Sequence, residues 1–213
     1  MRQYFIDNHS DKLIIFFTGW GCDEFEFEHL KSTCDVLLFF DYTDLNYKFD
    51  FSKYVEINML SFSAGVFMGS IFSHDFKINK KIALSGNPYL FDEKSGLSKQ
   101  VQEVLYNITE ENQDEFVRNY LVFSEEEYKN FHASKRTLES CQKEFEALQK
   151  IYQNEKHNIK DTYDCAIIGG QDRIFNLENQ KEYYSKRLKI IENARHNLFF
   201  KINSYDDIFE MNF

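Results

Sequence analysis

The sequence predicts a mostly parallel β-sheet flanked by helices, an α/β fold, with a helical insertion in its second half. Three observations predict it. Short apolar runs of strand length recur along the chain and alternate with helix-like patterns. Two of them, LIIFF at 13–17 and VLLFF at 36–40, are apolar throughout, as strands covered on both faces are. Between the strand-like segments 82–84 and 164–168 lies a block of roughly 70 residues, too long for an ordinary crossover.

Taken in order, Gln3–Ile6 reads as a first strand, followed by a polar turn over Asp7–Asp11 and a second strand over Lys12–Thr18. That strand runs into Thr18-Gly19-Trp20-Gly21. An amphipathic run, Asp23–Ser32, predicts a helix with Phe25, Phe27 and Leu30 inward. Val36–Phe40 is the next strand. Val55–Leu60 follows, leading into Ser61-Phe62-Ser63-Ala64-Gly65 and a helical pattern carried by Val66, Phe67, Ile71 and Phe72. Ile82–Leu84 is a short strand ending in Ser85-Gly86-Asn87-Pro88. From there to Gly169 only Gly96 interrupts a glycine- and proline-free stretch, which reads as helix. Ser124-Glu125-Glu126-Glu127 has capping-box spacing. Tyr128, Phe131, Leu138, Phe145, Leu148 and Tyr152 recur at roughly helical intervals. The sheet resumes at Asp164–Ile168 and ends in Gly169-Gly170-Gln171-Asp172. A helix around Glu178–Leu188, a strand over Lys189–Glu192 and a terminal helix around Tyr205–Phe209 complete the pattern. The organisation expected is one domain, with a core of 1–89 and 164–213 and an insertion, 90–163, placed over the C-terminal edge of the sheet, where α/β active sites lie.

Composition narrows the function classes. With 213 residues, 43% hydrophobic and 28% charged, the chain can bury a substantial core. A formal net charge of −10 argues against general nucleic-acid binding. No apolar run reaches the roughly 18–20 residues of a membrane span, and the N-terminus lacks a signal-peptide apolar region. Cys22, Cys34, Cys141 and Cys165 show no metal or redox spacing, so reduced thiols and a cytoplasmic setting are expected.

The segment 55–69 carries the chemistry. A strand, a small residue, a serine, a small residue, a glycine and a helix are the parts of a nucleophile elbow. The serine must sit on a sharp turn with small neighbours, because backbone crosses closely above and below it. The usual pattern is G-x-S-x-G; here Ser61 stands at the first glycine position. Read alone, the segment is equally an ordinary strand–helix turn. Three further loops follow strands. Thr18–Gly21 offers backbone N–H groups to a developing oxyanion, or is simply a tight turn. Asp172 follows a buried strand and a Gly-Gly pair; a helix N-cap is the plainer reading. His196 follows the last strand, unlike His9, His29, His74, His132 and His157. Ser63, Asp172 and His196 occur in the chain order of an α/β-hydrolase triad, each at a strand end.

With these residues in view, the chain resembles the α/β-hydrolases, and among them the BioG-type pimeloyl-[acyl-carrier protein] methyl ester esterases. The residues that carry the likeness are FFTGWG at 16–21, SFSAG at 61–65, IIGGQDRIF at 167–175 and ARHNLFF at 194–200. Related esterases have H-G-W-G where this chain has Thr18-Gly19-Trp20-Gly21. The resemblance implies Ser63 as nucleophile, His196 as base, Asp172 as its orienter, and the backbone N–H groups of Trp20 and Ala64 as oxyanion donors. It implies no metal or organic cofactor, and a substrate carried by an acyl-carrier protein.

Carrier proteins are acidic, so an enzyme of charge −10 needs a local basic surface to receive one. Residues 129–160 hold seven Lys/Arg against four Glu, whereas 90–128 hold three Lys/Arg against ten Asp/Glu. Lys129, Arg136, Lys143 and Lys150 fall seven apart, nearly two helical turns, and form one stripe if the helix is continuous. A solvated helix face, or a break near Ser134, is the alternative. Two other functions fit the same residues: another small serine carboxylesterase or acyl thioesterase, and a non-catalytic hydrolase-like binding module. A redox or metal role for the cysteines is disfavoured by their spacing.

Overall fold

The computed structural model describes residues 1–211. Seven strands form one sheet: β1 (Arg2–Ile6), β2 (Lys12–Phe17), β3 (Asp35–Phe40), β4 (Glu56–Phe62), β5 (Lys81–Leu84), β6 (Cys165–Gly169) and β7 (Leu188–Ile191). Their order across the sheet is β1-β3-β2-β4-β5-β6-β7. Only β1 is antiparallel, paired with β3 at the edge; every other neighbouring pair is parallel.

The uninterrupted apolar strands divide their side chains by parity. Leu13, Ile15 and Phe17 face one layer with Leu37 and Phe39. Ile14 and Phe16 face the other with Val36 and Leu38. The first layer is closed by α1 (Ala64–Ile71), through Ala64, Phe67 and Met68, and by helices from the block between β5 and β6. The second is closed by the C-terminal segment, where Phe199, Tyr205 and Ile208 pack with Phe27 and Leu30. Phe16 and Phe17 are wholly buried, each burial contributing on the order of 1.5–3 kcal/mol.

Between β5 and β6 the chain forms α2 (Lys99–Tyr106), α3 (Gln113–Phe116), a π-helical turn (Val117–Leu121), α4 (Glu125–Lys129) and α5 (Leu138–Glu155). After β6 come α6 (Leu177–Tyr184) and, beyond β7, α7 (Tyr205–Glu210). Half of the expected capping box forms: Ser124 Oγ accepts from Glu127 N–H, but the Glu127 carboxylate accepts from Phe123 N–H at 2.6 Å, one residue before the cap. No helix among the described residues is long and apolar enough to cross a membrane.

Two expectations about helices are corrected. Asp23–Ser32 holds only a 3-10 turn, Glu24–Phe27, capped by Asp23. The chain then leaves helical geometry because Lys31 bridges to Ser204, with its N–H given to Asn203 and its carbonyl accepting from Tyr205. The block 90–163 is broken rather than continuous, and residues 130–137 between α4 and α5 are not helical.

Candidate active site

β4 ends at Phe62 and α1 begins at Ala64, so Ser63 alone makes the turn between them. Its backbone lies at φ 54° and ψ −121°, a positive φ that an L-residue adopts only when its surroundings hold it there. Its N–H donates to Leu84 O at 2.9 Å. The turn is sharp enough that a Cβ on Gly65 would lie 2.2 Å from Phe17 O.

Ser61 is accommodated from across the sheet face. It lies on the same face of β4 as Met59, against α1. A Cβ on Gly69 would sit 2.5 Å from both Ser61 Oγ and the Tyr163 hydroxyl, so glycine at 69 makes the room that glycine at 61 usually provides. Tyr163 donates to Val66 O at 2.8 Å. Ser61 Oγ is fully buried beside it, without a hydrogen bond of good geometry.

Because parallel strands deliver their C-terminal ends to one edge, the loops after β4, β6 and β7 converge. His196 Nε2 is 2.9 Å from Ser63 Oγ, and His196 Nδ1 is 2.9 Å from Asp172 Oδ2. The second carboxylate oxygen of Asp172 accepts from Ile174 N–H at 2.7 Å and Phe175 N–H at 3.1 Å, which fixes its orientation. The imidazole is held between rings, stacked on Phe175 at 5.9 Å and tilted against Phe62 at 5.1 Å. Both His196 and Asp172 are buried. The arrangement can pass a proton from the serine hydroxyl to the imidazole, with the carboxylate fixing the tautomer that receives it.

Ser63 and His196 open into a cavity of about 180 Å³, against the roughly 10–15 Å³ that a single water needs. Trp20 and Ala64 line it as well. Among the described residues, the backbone N–H groups of these two donate to no protein acceptor. The far walls come from the block between β5 and β6, including Leu97, Leu105, Val117, Phe145 and Leu148. One carboxyl, that of Glu26, also lines the cavity. It is only partly shielded from solvent, yet desolvation pushes it up to about 8, with the Cys22 thiol opposing. All four cysteines are free and buried. Among the described residues no cluster of His, Cys, Asp and Glu is set to hold a metal ion.

The proposed basic stripe does not survive as a set. Arg136 is not on the surface: its side chain is 2% exposed, 2.6 Å from Glu144 and 3.4 Å from Asp41. The non-helical residues 130–137 divide Lys129 from α5, so no single helix face carries all four. Lys143 and Lys150 do share α5 and are exposed, Lys143 paired with Glu139 at 2.6 Å.

Sequence reasoning passed over Glu144. It is fully buried and accepts from Gly21 N–H, Tyr42 N–H and Arg136. Burial raises its carboxyl above the ordinary range, against the Arg136 guanidinium and these two N–H groups. The available signal was positional. Glu144 stands three residues after Cys141 and four before Leu148, a charge on the apolar stripe of an amphipathic helix.

The comparisons with known proteins agree with this architecture. BioG from Haemophilus influenzae, a solved structure, superposes with a TM-score of 0.84 at 26% identity, covering 97% of this chain and 99% of that one. A lipase-esterase related protein from Clostridium acetobutylicum shares the fold at a TM-score of 0.61 and 17% identity, over 92% of this chain and 93% of its own. A malonyl-[acyl-carrier protein] O-methyltransferase from Bacteroides fragilis is 29% identical over 180 residues, 81% of this chain, which spans only 36% of that protein. The family model for pimeloyl-ACP methyl esterase BioG matches residues 1–208. With its α/β-hydrolase sheet and a match along nearly its whole length, the chain belongs to the BioG family of pimeloyl-ACP methyl esterases.

Proposed function

We propose that this chain is a serine esterase that hydrolyses the methyl ester of pimeloyl-[acyl-carrier protein] in biotin biosynthesis, releasing methanol. The observation that supports it best is the Ser63–His196–Asp172 relay, with both links at 2.9 Å, opening on an apolar cavity in a chain of this family. Ser63 Oγ attacks the ester carbonyl while His196 Nε2 takes its proton. The negative charge that forms on the carbonyl oxygen is received by Trp20 N–H and Ala64 N–H. Collapse breaks the acyl–methoxy bond, and His196 gives its proton to the departing methoxide. Water, deprotonated by His196, then attacks the acyl-serine; the acyl–Ser63 Oγ bond breaks, His196 returns the proton to Ser63 Oγ, and the carboxylate leaves. Asp172 keeps Nδ1 protonated and stabilises the imidazolium throughout.

In this reading, residues 90–163 act as a cap that shields the acyl chain, and Leu105, Phe145 and Leu148 supply its apolar walls. The exposed Lys143 and Lys150, with Lys129 on α4, are the cations offered to an acidic carrier protein. Arg136 has no part in docking. A relative named for methyl transfer to malonyl-carrier protein is consistent with this substrate, because a methyl ester placed on one carrier-bound acid must be removed from the elongated product.

The deciding experiment is hydrolysis of pimeloyl-carrier-protein methyl ester by wild type and by Ser63→Ala, followed by the charge shift of the product on a gel. Conversion by wild type that is lost in the variant is expected. Turnover of p-nitrophenyl esters without conversion of the carrier-bound ester would keep the relay and sink the substrate. Cleavage at the thioester rather than the methyl ester would make the enzyme a thioesterase.

A further inference from the structure

On the hydrolase reading Trp20 N–H serves as an oxyanion donor, so the Thr18–Cys22 loop that carries it must be held in place. The loop has a firm entry. Thr18 N–H donates to Phe39 O at 3.0 Å, and the Tyr42 hydroxyl donates to Thr18 O at 2.7 Å. Beyond Gly19, Cys22 N–H turns back to Gly19 O and Cys22 O accepts from Arg136, while two further anchors come from α5, more than a hundred residues away. Trp20 Nε1–H donates to Cys141 O at 2.6 Å, and Gly21 N–H donates to Glu144 Oε2 at 2.9 Å. The other oxygen of Glu144 accepts from Tyr42 N–H at 3.0 Å, so one carboxylate ties the loop to the chain just after β3. Arg136 is 2.6 Å from Glu144, with its second nitrogen on Ser140 Oγ at 3.0 Å.

This is an unusual use of a buried charge. A fully buried carboxylate is retained here with a buried guanidinium, where apolar side chains of the same volume would pack as well. What apolar side chains cannot do is accept from Gly21 N–H. The peptide group that contains that N–H also contains the carbonyl of Trp20, and Trp20 N–H is one peptide earlier. With Thr18 held upstream, fixing the Trp20–Gly21 peptide on one side and the indole on the other restricts the Trp20 N–H to a narrow range of directions.

We propose that Glu144, neutralised by Arg136 and assisted by Cys141 O, is a positioning residue that holds the Trp20 N–H in place as an oxyanion donor. This rests on the hydrolase reading above. Glu144 touches no reacting atom and acts through the loop. Because α5 lies in the block 90–163, the donor set is complete only while that block is seated on the sheet.

The test compares two double variants, Arg136→Met/Glu144→Gln and Arg136→Met/Glu144→Met. Both remove both charges and conserve size, so both are expected to fold. They differ in what they offer the backbone: the glutamine keeps one acceptor oxygen, for either Gly21 N–H or Tyr42 N–H, and the methionine has none for either. On a small activated ester, the Gln version is expected within about tenfold of wild type. The Met version is expected to lose about 10²-fold in kcat at unchanged KM, the scale of one lost oxyanion donor. Its affinity for a trifluoromethyl ketone, whose serine adduct carries an oxyanion, should fall by the same factor. A Met version with the kcat and ketone affinity of wild type, or a loss confined to KM, would overturn the proposal. If either double variant fails to fold, Trp20→Phe decides: it removes the indole anchor without touching the ion pair. A drop in kcat and in ketone affinity at constant KM upholds the proposal, and no change overturns it. Wild type is assayed beside Ser63→Ala throughout. If wild type itself shows no Ser63-dependent turnover, it is the hydrolase reading that has failed.

Discussion

Replacing Gly69 with alanine tests why a serine is tolerated at the first position of the elbow. The new Cβ would lie 2.5 Å from Ser61 Oγ, 2.5 Å from the Tyr163 hydroxyl and 3.3 Å from Met59 Sδ. None of the three has space to retreat into: Ser61 and Met59 are wholly buried, and the Tyr163 hydroxyl is tied to Val66 O. Overpacking of this kind costs about 1–3 kcal/mol. For a chain of this length that lowers Tm by roughly 2–12 °C. Ser61→Gly alone should change stability by less than about 1 kcal/mol, because loss of an unpartnered buried hydroxyl offsets the extra backbone freedom of glycine. Combined with Gly69→Ala it restores the usual glycine and removes one of the two 2.5 Å contacts. Urea unfolding of the four proteins should therefore show a favourable coupling of about 1 kcal/mol between the sites. Tyr163→Phe added to the pair should relieve the second contact, less the cost of its lost hydrogen bond. If Gly69→Ala is as stable as wild type, or if the two sites are additive, Ser61 is accommodated in some way other than through Gly69.

Other outcomes follow from the buried and exposed charges. Arg136→Ala leaves Glu144 buried without its partner and should destabilise by about 3–5 kcal/mol in urea unfolding, whereas Lys143→Ala, on an exposed pair, should be silent. Glu26 has a folded-state value raised to about 8, so the folded state holds this proton more tightly than the unfolded one. Its contribution is therefore most favourable at acid pH and is lost as pH rises from the ordinary carboxyl range toward 8. The loss is of the order of a few kcal/mol at most, because solvent still reaches the side chain. Glu26→Gln should flatten the decline of Tm over that window, and an unchanged profile would remove Glu26 as its source. Lys143→Glu/Lys150→Glu should lower kcat/KM for a carrier-bound ester and weaken its salt dependence, while p-nitrophenyl ester turnover stays as in wild type.

Much of this protein is legible without coordinates, for a definite reason. In a parallel sheet every strand end reaches the same edge, so residues that directly follow strands are brought together whatever their separation in sequence. Ser63, Asp172 and His196 meet on that rule alone, and the apolar strands 13–17 and 36–40 announce the two covered faces. The sequence by itself determined these things because they depend on local pattern and chain order. Other features depended on partners distant in sequence. The Asp23–Ser32 run has helical periodicity, but pairing of Lys31 with the chain around Ser204 draws it away. Arg136 has the spacing of a surface stripe, yet a neighbouring loop and a buried carboxylate take it inside. Ser61 looks like a defect in the elbow until Gly69 is placed against it. The link between Glu144 and Gly21 joins two segments 123 residues apart. Only the tertiary structure decided these points, because burial and hydrogen-bond partners across the fold outweigh the few tenths of a kcal/mol per residue in which local preferences differ.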